Sequence, residues 1–547
     1  MNASDLMIKC LEEEGVKYIF GVPGEENEDF LFALEHSDII FVPTRHEQGG
    51  AFMADVWGRL TGKAGVCLAT LGPGATNLIT AVADAHLDKV PLLAITAQGS
   101  TQRLHHESHQ VIDVVNMMAP ITKWNGRVQS VEVIPEMIRK AFKLSECEKP
   151  GATHIELPED IAGNEVSDEI KILNRRSHKR SVPSTESVKR ALALLEVAQK
   201  PLIIAGNGVV RRSASDVLTS FSKKYNIPVA NTFMGKGAVA AREENCLGAI
   251  GLGFKDYVIE ATELSDLIIT IGYDIAEYDP ENWNPNADKK IINLDFDLAE
   301  VYTHYNPNVE VIGDIAAGIN MLNEKLNQDI KFESWYSDIR SRIYDSITSY
   351  SMQDSDVTYH APGVINLVRE VLPDSGLVIS DVGSHKMWIA RNYHTECANG
   401  CLISNGLATM GISLPGGIAA SLVDSNRPVV CIMGDGGAMM NIQELETAKR
   451  LGVGVTYIIL NDNNYGLITW KQKRSEGKSF GTELGNPNFK LLAESFGVKG
   501  YIPESVSHLR EILNHTITNK ELSVIEIPID TEVNTLLIDE LKNYFSE

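Results

Sequence analysis

Residues Pro428 to Leu467 read PVVCIMGDGGAMMNIQELETAKRLGVGVTYIILNDNNYGL, a pattern that leaves a folding chain few choices. An apolar run ends in Gly-Asp-Gly-Gly. A helical stretch follows, with Leu445, Ala448 and Leu451 at i, i+3 and i+6, and a second apolar run ends in Asn-Asp-Asn-Asn. This is a βαβ unit, whose crossover is right-handed in nearly every instance. Its two strands end on one edge of the sheet, where open α/β folds place their ligands. Asp435 and Asp462 stand just beyond those ends and are expected side by side in space. Asp-Gly alone is an ordinary turn, but a hairpin needs a strand next, and here a helix follows. Two hard oxygen donors beside a glycine-rich helix start suit a divalent cation and a phosphate. Mg²⁺ takes oxygen ligands, commonly one or two carboxylates plus phosphate oxygens. Gly436 and Gly437 let backbone N–H groups come close to a phosphate.

The same alternation runs through the chain. Apolar runs at Gly65–Leu71, Leu92–Ala97, Leu202–Ala205, Leu267–Ile271, Ile291–Leu294, Leu377–Ser380, Val429–Met433 and Val455–Leu460 are bounded by Gly, Pro, Asp or Asn, and most precede a helical pattern. This predicts parallel sheets covered by helices. The 547 residues exceed one hydrophobic core. Two polar stretches, Asn164–Arg190 (with Arg175, Arg176, Lys179 and Arg180) and Lys325–Pro362 (with the run Ser351–Thr358), read as connections. The expected organisation is therefore α/β, with three domains, each a parallel sheet flanked by helices: residues 1–165, 186–335 and 360–535, then a tail at 536–547.

Charge and composition exclude several classes. With 49 basic against 73 acidic residues the net charge is −24, which disfavours nucleic acid and anionic membranes as partners. The N-terminal stretch carries Glu12, Glu13 and Glu14 where a signal peptide needs an apolar core. No uninterrupted run of about 18 apolar residues predicts a membrane span. Seven cysteines are scattered, and the nearest pair, Cys397 and Cys401, lacks the neighbours of a zinc site. They read as reduced thiols of a cytoplasmic protein.

Taken together, Gly434-Asp435-Gly436 and Asn461-Asp462-Asn463-Asn464 resemble the signature of thiamine-diphosphate enzymes, implying the thiamine-diphosphate-binding fold at both ends of the chain. The resemblance implies that Asp435, Asp462 and an oxygen of Asn464 ligate Mg²⁺, which in turn binds the cofactor diphosphate. The family usually has Asn where Asp462 stands; Asp has the same reach. Upstream, Asp38–Gln48 (DIIFVPTRHEQ) is an apolar strand emptying into a charged tip with Glu47. Alone, that glutamate reads as a surface or salt-bridged carboxylate. The flanking Gly21-Val22-Pro23-Gly24 and Thr70-Leu71-Gly72-Pro73-Gly74-Ala75-Thr76-Asn77 are similar to the family's segments, so Pro23, Gly24, Thr70 and Asn77 join the implied cofactor site. By that resemblance Glu47 hydrogen-bonds the aminopyrimidine ring and favours its imino tautomer, whose nitrogen takes the thiazolium proton. The protein supplies position and a proton switch. Asn405–Pro415 resembles the segment supporting the bent cofactor, with Met410 wedged between the rings and the Ala408 carbonyl facing the pyrimidine amine. Val382-Gly383-Ser384-His385 resembles a second diphosphate loop, with His385 as donor. Tyr465, Gly466, Leu467 and Ile468 complete the implied cofactor-binding set.

Arg45-His46-Glu47-Gln48, Gly58-Arg59-Leu60-Thr61-Gly62-Lys63, Pro120-Ile121-Thr122-Lys123 and Ser404-Asn405-Gly406 resemble acetolactate synthases, chiefly the flavin-independent, catabolic kind. Gln110 matches a glutamine close to the reacting atoms and is expected to orient the acceptor, with Leu467 and Ile468 forming an apolar wall. Gly206-Asn207-Gly208 follows a strand, but Arg211 replaces the third glycine of the dinucleotide fingerprint and no acidic residue closes the next strand. Gly272-Tyr273-Asp274-Ile275-Ala276-Glu277-Tyr278-Asp279-Pro280 is similar to the flavin-free type. FAD is not expected. In one departure, the family's glutamine position aligns with Lys471, within Trp470-Lys471-Gln472, at the acceptor pocket. The resemblance implies decarboxylation of pyruvate and carboligation to a second 2-oxo acid, giving 2-acetolactate. The alternative is a 2-oxo acid decarboxylase, or another carboligase, that releases an aldehyde or acyloin. It also implies a homodimer or homotetramer with active sites between subunits.

Overall fold

The computed structural model describes residues 1–167, 169–176, 180–251, 257–356 and 358–537. It contains three six-stranded, wholly parallel sheets. The eight apolar runs singled out above all lie on strands, within one or two residues at their ends. The chain divides into two compact units. One holds Met1–His178, Gly406–Ser425 and Met440–Val453; the other holds Lys179–Asn405, Asn426–Met439 and Gly454–Glu547.

The first unit carries strands β1 (Tyr18–Gly21), β2 (Ile40–Pro43), β3 (Gly65–Ala69), β4 (Leu92–Gln98), β5 (Trp124–Arg127) and β6 (Ala152–Pro158). Their order is β2-β1-β3-β4-β6-β5. Every residue of β3, β4 and β6 is buried, as expected of central parallel strands covered on both faces. Leu6, Phe30, Ile19, Val66, Leu93, Phe142 and Ile155 share one core. The helix Glu47–Thr61 lies close on the sheet because its glycines permit it. A Cβ on Gly58 would stand 2.3 Å from the Pro91 carbonyl oxygen. The helix Ser413–Val423 packs along Glu47–Thr61. Inside this unit Arg59 is buried among Asp55, Asp84 and Asp88 at 2.6, 3.0 and 2.8 Å. Removing one member would leave the others buried without full compensation.

The second unit holds two sheets. The middle one has β7 (Pro201–Ala205), β8 (Val229–Asn231), β9 (Cys246–Ala249), β10 (Leu267–Ile271), β11 (Lys290–Asp295) and β12 (Val309–Ile312), in the order β12-β11-β10-β7-β8-β9. Alternate residues serve two cores: Ile203, Ile269 and Ile292 face one, Leu202, Ile268 and Ile291 the other. The last sheet has β13 (Leu377–Ser380), β14 (Cys401–Ile403), β15 (Val429–Gly434), β16 (Thr456–Asn461), β17 (Lys499–Tyr501) and β18 (Ser523–Pro528). Its order, β14-β13-β15-β16-β18-β17, repeats that of the first sheet strand for strand.

Among the described residues the two polar stretches hold no strand, but the helix Thr185–Leu195 begins in the first and the helix Ser337–Thr348 lies in the second. Lys179, part of the expected 351–358 run (residue 357) and residues 538–547 of the expected tail lie outside the described residues. No described helix is long and apolar enough to cross a membrane. All seven cysteines are free thiols.

Candidate active site

Chain order sets the location of the site before any side chain does. In the last sheet the chain leaves β13 for β14 on one side, then returns to β15 on the other. The crevice between β13 and β15 is therefore a topological switch point, where helices diverge and a ligand can enter. Asp381 to His385 follow β13, Asp435 to Gly437 follow β15, and Asp462 follows the adjacent β16. The expected convergence of the two strand-end aspartates is what the structure has.

Asp435 is 2 % exposed, and its Oδ1 accepts from the Gly436 N–H at 2.8 Å. Burial raises its pKa, against the hydrogen bonds from Asn486 and nearby backbone. Asp462 is pushed up to about 7, first by burial and then by the charge of Asp435. No basic side chain is among the leading influences on either carboxylate. Two desolvated carboxyl groups that repel one another are relieved either by a shared proton or by a cation. The donor set is all oxygen, as a hard divalent ion requires. Among the described residues no three His, Cys, Asp or Glu side chains converge as a metal cage. Such an ion would need the Asn464 oxygen and oxygens from outside the protein to complete its shell.

Glycine keeps the crevice open. A Cβ on Gly436 would meet the Tyr465 ring at 2.8 Å, one on Gly437 would meet Asp381 Oδ1 at 2.6 Å, and one on Gly466 would meet Asp462 Oδ2 at 2.3 Å. His385 is buried in the helix Ser384–Asn392, and burial lowers its pKa to about 4, so it is neutral at pH 7. Its Nε2 is buried with no hydrogen-bond partner among the described residues. A buried polar atom left unpaired is costly, and a ligand oxygen here would satisfy it. Val382, Gly383 and Ser384 shape the same turn. Asn464 donates to the Asp462 carbonyl at 3.0 Å, and Asn463 adopts a left-handed φ of 52°. Tyr465 and Ile468 are 38 % and 47 % exposed at the start of the helix Gly466–Glu476, with Leu467 half-buried between them.

The first sheet has its own switch point, between β1 and β3. Pro23 and Gly24 follow β1, and Thr70 to Asn77 follow β3. A Cβ on Gly24 would stand 2.4 Å from the Thr70 Cβ, so the two loops touch. The charged tip after β2 is different from the sequence reading: the strand stops at Pro43, and Glu47 opens the helix Glu47–Thr61. The apolar run ends where Thr44, Arg45 and His46 turn, and the His46 ring nitrogen caps the helix by accepting from the Gln48 N–H at 3.1 Å. Glu47 is 8 % exposed, its Oε2 accepts from Asn77 Nδ2 at 2.9 Å, and Gly74 leaves space beside Oε1. The structure thus brings Glu47, Thr70, Asn77 and Gly24 together. Gln110 is exposed, has a left-handed φ of 59°, and lies against Gly72. Ala408 is likewise left-handed, at 55°, and the adjoining Gly411 carbonyl accepts from Asn441 at 2.8 Å. Non-glycine residues held in this region cost free energy and concentrate at functional sites. Met410 is half-buried.

Three participants escaped the sequence reading. Glu444 is wholly buried and accepts from the backbone N–H groups of Arg45 (3.0 Å) and His46 (3.1 Å), the residues just before Glu47. Burial raises its pKa. Its partners lie some 400 positions away in sequence, so no spacing could reveal it. Asn486 joins Asp435, Asn461 and Asn463 through its amide, at 2.6, 2.9 and 3.3 Å, again with no local signal. Asp381 was detectable in principle, as an aspartate at a strand end.

The middle sheet, read outward from β7, follows the order of dinucleotide-binding folds although the glycine fingerprint fails. Its switch point, between β7 and β10, is occupied by the chain itself. Both Glu277 carboxyl oxygens accept from the Asn207 N–H, at 3.1 and 3.0 Å, and Thr232 donates to one of them. Glu277 is buried, which pushes its pKa to about 8 with help from Asp274.

The two units thus carry crevices of identical topology, one presenting a carboxyl group with a glycine-proline loop and the other paired carboxylates with a glycine cradle, each at the place where open α/β folds hold a ligand. Residues 1–117, 188–322 and 381–527 match, respectively, the N-terminal TPP binding domain, the central domain and the C-terminal TPP binding domain of thiamine pyrophosphate enzymes. The chain is similar along its whole length to the acetolactate synthase of Bacillus subtilis (strain 168), at 32% identity over all of this chain and 96% of that one. It is 32% identical to the catabolic acetolactate synthase of Raoultella terrigena, over 99% and 97% of the two chains. It is 34% identical to a probable acetolactate synthase large subunit of Methanococcus aeolicus, over 97% and 92%. The chain belongs to the thiamine pyrophosphate enzymes, and within them to the acetolactate-synthase-like members.

Proposed function

We propose that the protein decarboxylates pyruvate and joins the remaining two-carbon unit to a second 2-oxo acid, forming 2-acetolactate. The observation that carries this reading is the Asp435–Asp462 pair in its glycine cradle, in a chain matched from end to end by acetolactate synthases. When bound, thiamine diphosphate supplies the carbon nucleophile. Asp435, Asp462 and an oxygen of Asn464 would hold Mg²⁺, with Gly436 and Gly437 giving the diphosphate access to backbone N–H groups. His385 would donate from Nε2 to the same diphosphate as an imidazolium, the form that a bound anion favours. Glu47, steadied by Asn77, would hold and move one proton at a pyrimidine ring nitrogen. The left-handed Ala408 would turn its carbonyl to the ring amine, with Met410 beside it. Gln110 would orient the acceptor against Leu467 and Ile468.

Glu277 on the Asn207 N–H is our reason to read the middle domain as flavin-free. Glu47 belongs to one compact unit and the metal pair to the other. We read the enzyme as a homodimer or homotetramer with sites shared between chains, acting in the cytoplasm on small 2-oxo acids. Some relatives are called large subunits, so a smaller partner belongs to the same reading. Exposed Lys471 at the helix Gly466–Glu476 favours the second reading, aldehyde release, by placing a charged, hydrated group where the family has an amide. Incubating protein, pyruvate, thiamine diphosphate and Mg²⁺ and measuring acetolactate against acetaldehyde separates the two. Acetolactate as the main product supports carboligation, and CO₂ release with acetaldehyde alone refutes it.

A further inference from the structure

Within the second unit an open-mouthed pocket lies between the ends of β8 and β9, the helix Ser337–Thr348 and the segment 391–395. None of the cofactor or substrate residues named above lines it. Most of its wall is apolar: Val239, Ala241, Leu247, Val258, Ile343 and Ile347. Against that wall stand Lys236, Arg391, His394 and Thr395.

Lys236 is 5 % exposed, and its ammonium donates to one backbone carbonyl, that of Ala390, at 2.9 Å. Burial lowers its pKa, and the groups that oppose this are the thiols Cys401 and Cys246, not a carboxylate. A buried ammonium is costly unless paired. The pocket's other groups do not neutralise it. Thr395 is 4 % exposed, and its hydroxyl has no hydrogen-bond partner among the described residues. His394 lies against Tyr344, with centroids 4.5 Å apart and the rings tilted by 48°. Its pKa is lowered to about 4 by burial and then by Lys236, Arg340 and Arg369, so the local field is positive. The neighbouring carboxylate Glu396 is paired with Arg242 at 3.3 Å.

We propose that this pocket is a second binding site, distinct from the thiamine site, for a small organic monocarboxylate with an apolar body. The carboxylate would pair with the Lys236 ammonium and accept from the Thr395 hydroxyl, while the body fills the aliphatic wall. A phosphate or a nucleotide fits less well, because much of the lining is aliphatic.

The probe is 3-bromobenzoate, tested on the full-length protein loaded with thiamine diphosphate and Mg²⁺. Crystals soaked with it should give a bromine anomalous peak in this pocket with the carboxylate on Lys236. Calorimetry should show saturable binding that weakens at least about tenfold in Lys236→Met, the loss expected for a charge-assisted hydrogen bond. The neutral 3-bromobenzamide should bind at least about tenfold more weakly than the acid. Thr395→Val, which keeps the side chain's shape, should weaken the acid less than Lys236→Met does and serves as the variant that folds if Lys236→Met does not. Bromine only at the thiamine site, no saturable binding, or equal affinities for acid and amide would overturn the proposal. So would an affinity unchanged in both variants.

Discussion

The two switch-point crevices of the second unit are built alike and used in opposite ways. Each lies between neighbouring parallel strands whose helices diverge, and each presents backbone N–H groups at a glycine turn. In the middle sheet the crevice is filled from within: Glu277 reaches back to the Asn207 N–H, and Gly208 donates to the Gly272 carbonyl at 2.8 Å. In the last sheet the side chains leave the crevice polar and unbalanced, with two repelling carboxylates and an unpaired histidine nitrogen. Topology therefore nominates a site, and only the balance of hydrogen bonds and charge within it decides whether a ligand is needed. A crevice that satisfies its own donors has little left with which to bind.

The largest effect should come from the unbalanced crevice. Asp435→Asn turns a proposed charged metal ligand into a neutral amide and removes the repulsion that makes a cation welcome. Losing an outer partner of a metal ligand typically costs about 10–100-fold in affinity or activity, and losing a ligand should cost more. Acetolactate formation should fall by more than about 100-fold, and a Mg²⁺ titration followed by circular dichroism should show weakened cofactor binding. Unchanged affinity would show that the two carboxylates are only a structural pair. Next in size, Glu47→Gln keeps the shape but cannot exchange a proton, so kcat should drop by roughly 10²–10⁴-fold, with cofactor still bound. If sites are shared between chains, mixing the two inactive variants should restore some activity, because hybrid assemblies would contain an intact site; no recovery would argue for sites within one chain.

How far these positions could be read without coordinates depended on how local their cause was. Asp435 and Asp462 were legible because a βαβ unit fixes where its two strand ends lie. The strand runs were legible because central parallel strands are apolar on both faces. The end of β2 was misjudged because Thr44 to Gln48 carries no apolar period, so a strand tip and a helix start look alike until His46 is seen capping Gln48. The internal closure by Glu277 was invisible for a further reason: Asn207 and Glu277 are 70 residues apart, and only the pairing of β7 with β10 brings them together. Glu444, with partners 399 and 398 residues away, is the extreme case.

Glu444 offers a finer cut. Its carboxylate accepts from the two N–H groups that precede Glu47, so it positions the start of that residue's helix. Glu444→Leu leaves two part-buried donors without this acceptor, at up to about 1–3 kcal/mol each, and lets the helix start shift. A misplacement of about 1 Å can cost up to about 100-fold in rate. We expect kcat to fall roughly tenfold with little change in KM for pyruvate, and Glu444→Gln to recover most of it by keeping an acceptor. A variant that only loses thermal stability, with kcat intact, would make Glu444 a packing residue and no more.

The smallest effect should be in the filled crevice, and it concerns slope rather than level. The Glu277 carboxyl titrates near 4.5 in an unfolded chain and near about 8 in the folded one. Between those values the folded state holds the additional proton, so stability falls as pH rises. The contribution is whole below the unfolded value and is lost as pH passes through about 8. Glu277→Gln cannot titrate, yet its amide oxygen still accepts from Asn207 and Thr232. Its melting temperature should therefore decline less than that of the unaltered protein over this window, with acetolactate formation unaffected. Parallel melting curves would mean that Glu277 is no more desolvated than an ordinary carboxyl.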